Sequence, residues 1–203
     1  MVIYGIYYAA ALVAGGAAVT YFTNWIWALP FYILAAFCLY FFRDPDREIP
    51  TGPVAVSPAD GKVVVVKPED SGNRISIFLN VFDVHVNRTP IPGRIVDVRY
   101  QEGQFLVASK EEASHSNEQN TITVEGEIGG QKTRIVFKQI AGLIARRIIC
   151  YKKPGDTVAA GERIGLIKFG SRVDVQLGPE WEVTVHVGER VSAGSSVIAR
   201  KKS

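Results

Sequence analysis

The first 42 of the 203 residues contain no Asp, Glu, Lys or Arg, and every charged side chain follows from Arg43 onward. This absence excludes a soluble domain at this end of the chain, because soluble surfaces carry charge. The stretch is also about double the length of a signal peptide and lacks the basic residues that precede one, which disfavours a cleaved signal. The sequence therefore predicts a membrane segment at residues 1–42.

The uncharged stretch is long enough for two apolar helices, since about 20 residues cross a hydrocarbon core. Val2–Phe22 predicts the first helix and Trp25–Phe42 a second, shorter one, with the polar pair Thr23-Asn24 between them. A hairpin that enters only one leaflet is the alternative. Arg43 and Arg47 follow the second helix, and the positive-inside rule then predicts a cytoplasmic location for the domain after them.

Cysteine, histidine and net charge are scarce as well. Cys38 and Cys150 lie in apolar contexts without metal-site spacing, so neither a disulfide framework nor a metal centre is predicted. A formal net charge of +3 is too small to predict binding to nucleic acid. The chain has three histidines, which leaves few candidates for imidazole chemistry.

A charged, proline-bounded linker at 43–52 precedes a region, 53–203, with the pattern of many short β-strands. The strand segments are rich in Val and Ile and are bounded by turn residues, which favours a sandwich or barrel without a long amphipathic helix. Gly129-Gly130 predicts a hairpin turn. The predicted strands are Lys62–Lys67, Arg74–Asn80, Gly93–Tyr100, Thr121–Glu125, Thr133–Gln139, Arg163–Phe169, Arg172–Gln176 and Glu182–Val187.

Two segments of this region repeat one another. Gly155–Gly161 and Gly188–Gly194 share the order Gly, acidic residue, any residue, Val, any residue, Ala, Gly. Turns of this kind join strands in biotinyl and lipoyl carrier domains, so the predicted fold is mainly β, with a barrel-sandwich core of that type. A carrier also needs an exposed lysine in a Met-Lys or Asp-Lys context. Since the chain between the two segments has none, the likeness concerns fold and not function.

Five polar segments of the β-rich region could carry chemistry, although each alone has a structural explanation. An Asp before Gly is most often a turn residue, and a lone His among valines is most often structural. In order along the chain, with Phe41–Pro45 after the apolar leader, the segments resemble the short, membrane-anchored form of the phosphatidylserine decarboxylase family. The five segments are Ser57–Lys62, Phe82–Pro90, Ala113–Asn120, Gln139–Ile148 and Gly170-Ser171. The family pattern is carried by Ser57–Lys62, Phe82–Arg88, Gln139–Gly142 with Ala145–Arg147, and Phe169–Asp174, and the match covers nearly the whole chain.

The resemblance implies a proenzyme that makes its own cofactor. The Ser171 hydroxyl would attack the Gly170 carbonyl, and the chain would be cleaved between 170 and 171 into a large and a small chain. Residue 171 would become a pyruvoyl group, with no external cofactor or metal. A serine needs a neighbouring base that a third group orients, and the family pattern assigns these roles to His85 and Asp60.

The implied second reaction is the decarboxylation of a membrane phospholipid. The pyruvoyl group would form a Schiff base with the serine amine of phosphatidylserine, or of its archaeal ether analogue archaetidylserine. Loss of CO2 would then give a phosphatidylethanolamine-type lipid, with His85 as the candidate acid. The resemblance also implies a homodimer at the cell membrane.

Three further residues are weaker, substrate-binding candidates. Long relatives carry two histidines where this chain has His85 and Arg88, so their division of labour cannot be carried over. His115 and Asn117 lie where the family has an Asn-Glu-Arg element, but Gln119 replaces the Arg. A membrane-anchored β-sandwich adaptor without activity, and an inactive, uncleaved homologue, are the alternative functions.

Overall fold

The computed structural model describes residues 1–108, 110–143, 147–168 and 170–202. The matched motif residues Ala145, Arg146 and Phe169 therefore lie outside the described residues. The chain divides into two compact units, Met1–Asp46 and Arg47–Ser203.

The first unit is a pair of antiparallel helices, α1 (Ile3–Phe22) and α2 (Trp25–Phe41). Asn24 begins α2, where its Oδ1 accepts a hydrogen bond from the Ile26 N–H at 3.1 Å. Within the described residues, α1 is long and apolar enough to cross a membrane, whereas α2 has 17 residues. The predicted helical pair is confirmed with both ends of each helix within one residue, and the apolar α1 indicates association with a membrane.

The second unit is mainly β, as predicted, with one short helix, α3 (Ala113–Ser116). The predicted segments form strands, although Glu182–Val187 is reduced to a three-residue strand. The six other strands of the described residues were not predicted, and five of them have only two or three residues. The strands are β1 (Val54–Val56), β2 (Gly61–Glu69), β3 (Gly72–Leu79), β4 (Val86–Arg88), β5 (Gly93–Gln101), β6 (Gln119–Ile128), β7 (Gln131–Ala141), β8 (Ile148–Cys150), β9 (Thr157–Val158), β10 (Arg163–Ile167), β11 (Ser171–Leu177), β12 (Trp181–Val183), β13 (Arg190–Val191) and β14 (Val197–Lys201).

The sheets reveal an internal two-fold repeat. The eight-stranded sheet has the order β13-β2-β3-β11-β7-β6-β5-β9, and the two small sheets have the orders β1-β14-β12 and β4-β10-β8. Every strand has a counterpart if β1–β3 and β11–β14 form one repeat and β4–β10 form the other. We refer to these as the outer and the inner repeat, because the inner one is inserted into the chain between β3 and β11.

Backbone hydrogen bonds support this equivalence residue by residue. The two similar glycine-containing segments are the most visible part of it, since each connects the ends of equivalent strands. Matched bonds, with the outer repeat first, are Gly194 N to Ser57 O and Gly161 N to Thr89 O, Val63 N to Glu189 O and Ile95 N to Asp156 O, and Gly188 N to Val63 O and Gly155 N to Ile95 O.

The repeats differ in how their central strands are joined. In the inner repeat, β6 and β7 form a hairpin whose turn is Gly129-Gly130, as predicted, with φ of 61° and 77° that glycine adopts without strain. In the outer repeat, the equivalent strands β3 and β11 are separated by the whole inner repeat. The chain leaves the outer repeat through a first crossover, 80–85, and returns through a second crossover, of which the structure describes Lys168 and Gly170.

The core lies on one face of the eight-stranded sheet. Alternate residues of the central strands point to this face, including Ile77 of β3, Val173 of β11 and Phe137 of β7, all fully buried. Ser171 lies two residues before Val173 in β11, so its side chain also points to the core face.

Candidate active site

The two crossovers meet, and their contact forms the candidate active site. The first crossover turns at Asn80, whose Oδ1 accepts from the Phe82 N–H at 2.7 Å, while the Asn80 N–H donates to Asp83 Oδ2 at 2.9 Å. His85 ends this crossover directly before β4 and is 2% exposed. The Gly170 N–H of the second crossover lies 3.3 Å from His85 Nε2.

The two ring nitrogens of His85 have different partners, which defines the tautomer. Nδ1 lies 2.9 Å from the Asp83 carbonyl oxygen, which can only accept, so Nδ1 carries the proton. Nε2 is then the nitrogen that carries the ring lone pair, and it accepts from the Gly170 N–H. The imidazole is therefore a neutral base whose lone pair faces the backbone of Gly170.

Gly170 and Ser171 combine a left-handed backbone with a buried hydroxyl. Gly170 has φ +65°, and a Cβ there would have nothing within 4 Å, so the position demands glycine by conformation and not by space. Ser171 is fully buried between Leu79 of β3 and Ala141 of β7. Among the described residues, none hydrogen-bonds to Ser171 Oγ. Such an unpaired buried hydroxyl costs about 1–3 kcal/mol, which points to a chemical use.

Gly142 lies against the carbonyl group of Gly170. A Cβ on Gly142 would be 2.3 Å from the Gly170 carbonyl oxygen and 3.2 Å from its carbonyl carbon. Gly142 belongs to the matched segment Gln139–Gly142, and the other end of that segment is also buried. Gln139 donates through Nε2 to Asn87 Oδ1 at 2.9 Å and accepts from Asn120 Nδ2 at 3.0 Å. The segment thus gives the carbonyl room and is itself fixed by buried amides.

Asp60 is held by groups other than an imidazole. Its carboxylate accepts from Arg47 Nη2 at 2.9 and 2.8 Å and from the Ala193 N–H at 2.8 Å. Burial raises the pKa of Asp60 above its ordinary value, while the Ala193 N–H and the Arg47 guanidinium act in the opposite direction. The carbonyl group of Asp83 occupies the orienting position at His85 Nδ1. The role of Asp60 in a Ser-His-Asp arrangement stays a prediction.

The three substrate-binding candidates have different surroundings. Arg88 donates from Nη1 to the Gly161 carbonyl at 3.1 Å, beside Gly194 of the equivalent turn. The Asn117 side chain bonds the N–H and C=O of Leu106 at 2.9 Å each and the Ala141 C=O at 2.7 Å. His115 is exposed on α3. Substrate binding by these residues stays a prediction.

Sequence reasoning overlooked three contributors to this geometry. Arg47 was interpreted as a membrane-flanking cation, but its guanidinium pairs with Asp60. Asp83 orients His85 through its backbone and binds Arg190 of β13 through its side chain. Its position two residues before the histidine was the one available signal. Gly142 was part of a matched segment, but its contact with Gly170 follows from the fold alone.

Comparison with known proteins identifies the family of the chain. A family profile described as phosphatidylserine decarboxylase matches residues 34–199. The chain belongs to the phosphatidylserine decarboxylase family. A phosphatidylserine decarboxylase proenzyme of Solibacter usitatus is 68% identical over 197 residues, covering 97% of this chain and 95% of that protein.

More distant members of the phosphatidylserine decarboxylase family match over similar lengths. The proenzyme of Nitrosomonas eutropha is 47% identical over 188 residues, covering 89% of this chain and 86% of its own. That of Nitratidesulfovibrio vulgaris is 47% identical over 184 residues, covering 87% and 83%. Their names describe proteins that are made as precursors, so the resemblance predicted from the five segments is confirmed.

Proposed function

We propose that this chain is a self-processing phospholipid decarboxylase that cleaves itself between Gly170 and Ser171. The observation that carries the proposal is the buried Ser171 hydroxyl, which has no hydrogen-bond partner among the described residues, next to a left-handed Gly170 whose N–H faces a neutral His85. The names of the relatives supply the substrate class, a phospholipid with a serine headgroup.

Cleavage needs only groups that the chain supplies, with water. Ser171 Oγ loses its proton and bonds to the Gly170 carbonyl carbon, and the C–N bond breaks as the nitrogen of residue 171 takes up a proton. The chain is then joined by an ester. Removal of the Cα proton of residue 171 breaks the Cβ–Oγ bond and leaves Gly170 as a carboxylate. Hydrolysis of the resulting dehydroalanine releases ammonia and leaves a ketone at residue 171.

His85 is the proposed base for both proton removals. Its Nε2 lies 3.3 Å from Gly170 N, two covalent bonds from the carbonyl carbon that Ser171 attacks. The Asp83 carbonyl keeps the proton on Nδ1, so that Nε2 is available. Gly142 leaves space for the Gly170 oxygen as the carbonyl carbon becomes tetrahedral. Asp60, which is buried and has a raised pKa, is the carboxylate that we propose for the Ser-His-Asp arrangement.

The burial of the Ser171 oxygen, without a hydrogen-bond partner in the part of the chain that the structure describes, fits a residue that is converted into a pyruvoyl group. That ketone would bind the serine amine of the lipid and accept the electrons released as CO2 leaves. His85, beside residue 171, would return a proton to the α-carbon of the substrate. Because this chemistry involves only the serine headgroup, ester and ether phospholipids are equally suitable substrates.

Membrane attachment supports a lipid substrate. Large apolar side chains of the helical pair, such as Tyr21, Trp25 and Trp27, are exposed, as a lipid-facing surface requires. We propose that residues 1–42 form an anchor, 43–52 a linker and 53–203 the catalytic domain, which faces the cytoplasm. Since Arg47 pairs with Asp60, the positive-inside argument depends mainly on Arg43. The homodimer stays a prediction.

Mass spectrometry of the purified protein tests the proposal. We expect two chains, residues 1–170 and a small chain that begins with a pyruvoyl group at 171, and conversion of phosphatidylserine vesicles to phosphatidylethanolamine and CO2. Ser171→Ala, the matched control, should give one chain and no product. A wild-type protein that stays intact would overturn the proposal.

A further inference from the structure

The face of β11 opposite the candidate active site carries a buried ion-pair network. Arg172 is fully buried and its guanidinium is bound on several sides. Nε donates to Asp174 Oδ1 at 2.6 Å, Nη2 to Ser76 Oγ at 2.7 Å, and Nη1 to the Lys110 carbonyl at 3.2 Å. Arg172 is the second residue after the proposed cleavage site. The buried guanidinium therefore belongs to the start of the small chain.

The network joins β11 to two other parts of the domain. Asp174 Oδ2 accepts from Ser114 Oγ at 2.6 Å and lies 3.5 Å from Arg74 Nη1. Glu111 pairs with Arg74 and lies 3.5 Å from Arg172. Arg74 Nε also lies 2.9 Å from Glu69 Oε1, so two arginines face three carboxylates. Pairing of this kind is the condition under which buried charge is tolerated. Strand β3, strand β11 and the segment 110–114 are held at one point.

Within the described residues, the inner repeat has no such network at the equivalent position. Ser171 pairs with Leu79, and the matching pair in the inner repeat is Thr133 with Gly126. Arg134 is therefore the counterpart of Arg172. Its described ion pair is with Glu125 at 3.8 Å, and its side chain is 61% exposed. The network is a property of the strand that begins at the cleavage site and not of the repeated fold.

We propose that the buried ion-pair network is a positioning device, which keeps residue 171 in the active site once the peptide bond before it is gone. This inference rests on the proposed self-cleavage. A cut at 170 leaves a chain end in the middle of an eight-stranded sheet, and chain ends fray unless other contacts hold them. Covalent continuity holds residue 171 before cleavage, and the guanidinium of Arg172 holds it afterwards.

The test compares Arg172→Gln in the cleavable protein and in the uncleavable Ser171→Ala protein. Amide hydrogen exchange across 172–177 measures how firmly the strand is held. We expect exchange to accelerate on the order of tenfold or more in the cleaved protein and far less in the uncleaved one. In the cleaved protein, kcat should fall with KM little changed. Arg134→Gln, the matched control, should leave exchange close to that of the parent protein in both backgrounds, and kcat close to wild type in the cleaved one.

Two results separate the possible failures. Equal acceleration of exchange in both backgrounds would show a general structural role and overturn the inference while self-cleavage stands. A wild-type protein that is never cleaved would overturn the proposed function and this inference with it. If Arg172→Gln prevents cleavage, Glu111→Gln gives the same comparison from the exposed end of the network. Unchanged exchange in its cleaved form would also overturn the inference.

Discussion

The outer and inner repeats share a framework but differ in function. Both use a Gly-acidic-x-Val turn, the same pattern of backbone hydrogen bonds and equivalent positions in the eight-stranded sheet. The inner repeat closes its central strands with a tight glycine hairpin. In the outer repeat the equivalent strands are not joined by a hairpin, and the two crossovers that take its place bring His85 and Gly170 together.

The comparison also separates structural residues from chemical ones. Gly61 and Gly93 begin equivalent strands, and a Cβ on either would lie 2.2 Å from a carbonyl oxygen of the neighbouring strand, at Phe78 and Glu125. The preceding residues differ, since Asp60 in the outer repeat corresponds to Pro92 in the inner one. A carboxylate is therefore not needed to build this turn. Candidate catalytic groups occur where the two-fold repeat is broken.

Substitution at Asp60 and at its counterpart Pro92 is expected to give the largest difference in cleavage rate between equivalent positions of the two repeats. Asp60→Asn removes the negative charge that pairs with Arg47 but retains a turn-forming residue, so we expect cleavage to slow on the order of 100-fold or more. A time course of chain cleavage after cell-free synthesis measures this. Pro92→Ala at the equivalent position should cleave at nearly the wild-type rate. Rapid cleavage of Asp60→Asn would remove Asp60 from the site.

Gly142→Ala tests the space beside the carbonyl group of Gly170. The new methyl group would collide with the Gly170 oxygen, and overpacking of this kind costs about 1–3 kcal/mol, or roughly 10- to 100-fold in the cleavage rate. The same time course measures the effect. Ala108 is the other close neighbour, at 3.2 Å. If adding Ala108→Gly restores the rate, the collision with the carbonyl is not the cause.

Asn117→Ala distinguishes a structural role from substrate binding in the inner repeat. Three backbone bonds of the Asn117 amide would be lost, with a cost of about 2–4 kcal/mol and a fall in Tm of about 5–10 °C. Thermal unfolding measures this. His115→Ala, two residues away and exposed, should change stability by less than about 0.5 kcal/mol. An unchanged Tm with a raised KM in Asn117→Ala would instead support substrate binding.

The smallest expected effect concerns the pH dependence of the network. The Lys67 ammonium, with Arg74 and Arg172, lowers the pKa of Glu111 to about 2. Because this pKa is depressed in the folded state, its stabilisation is present above the ordinary value near 4.5 and is lost as the pH falls toward 2. The free energies of unfolding of wild type and Glu111→Gln, measured between pH 6 and pH 3, a range of about three units, should therefore converge toward the acid end. A constant difference would contradict the shifted pKa.

Much of the fold could be predicted because it depends on local chemistry. The missing charge before Arg43 indicated the helical pair, and Val-rich segments between turn residues indicated the long strands. The two-fold repeat was visible only as one short pair of similar segments, since the rest of it consists of backbone hydrogen bonds that place no demand on side chains. Two- and three-residue strands such as β9 and β4 are too short to have a period.

The site could be predicted only in part. The resemblance named His85, Asp60 and Ser171, and the structure brings His85 to the residue before Ser171. It could not show that Arg47 in the linker pairs with Asp60, or that the Asp83 carbonyl orients the imidazole. These contacts join segments that are distant or irregular, so neither spacing nor periodicity reports them.

The cleavage state of His85→Ala tests the central claim most directly, because it removes the imidazole that accepts a hydrogen bond from the Gly170 N–H. Intact-mass measurement should find a single full-length chain in this variant and two chains in wild type. His186→Ala, whose ring is 88% exposed in the wild-type structure, is the matched control and should be cleaved normally. Two chains in His85→Ala, formed at the wild-type rate, would contradict the account.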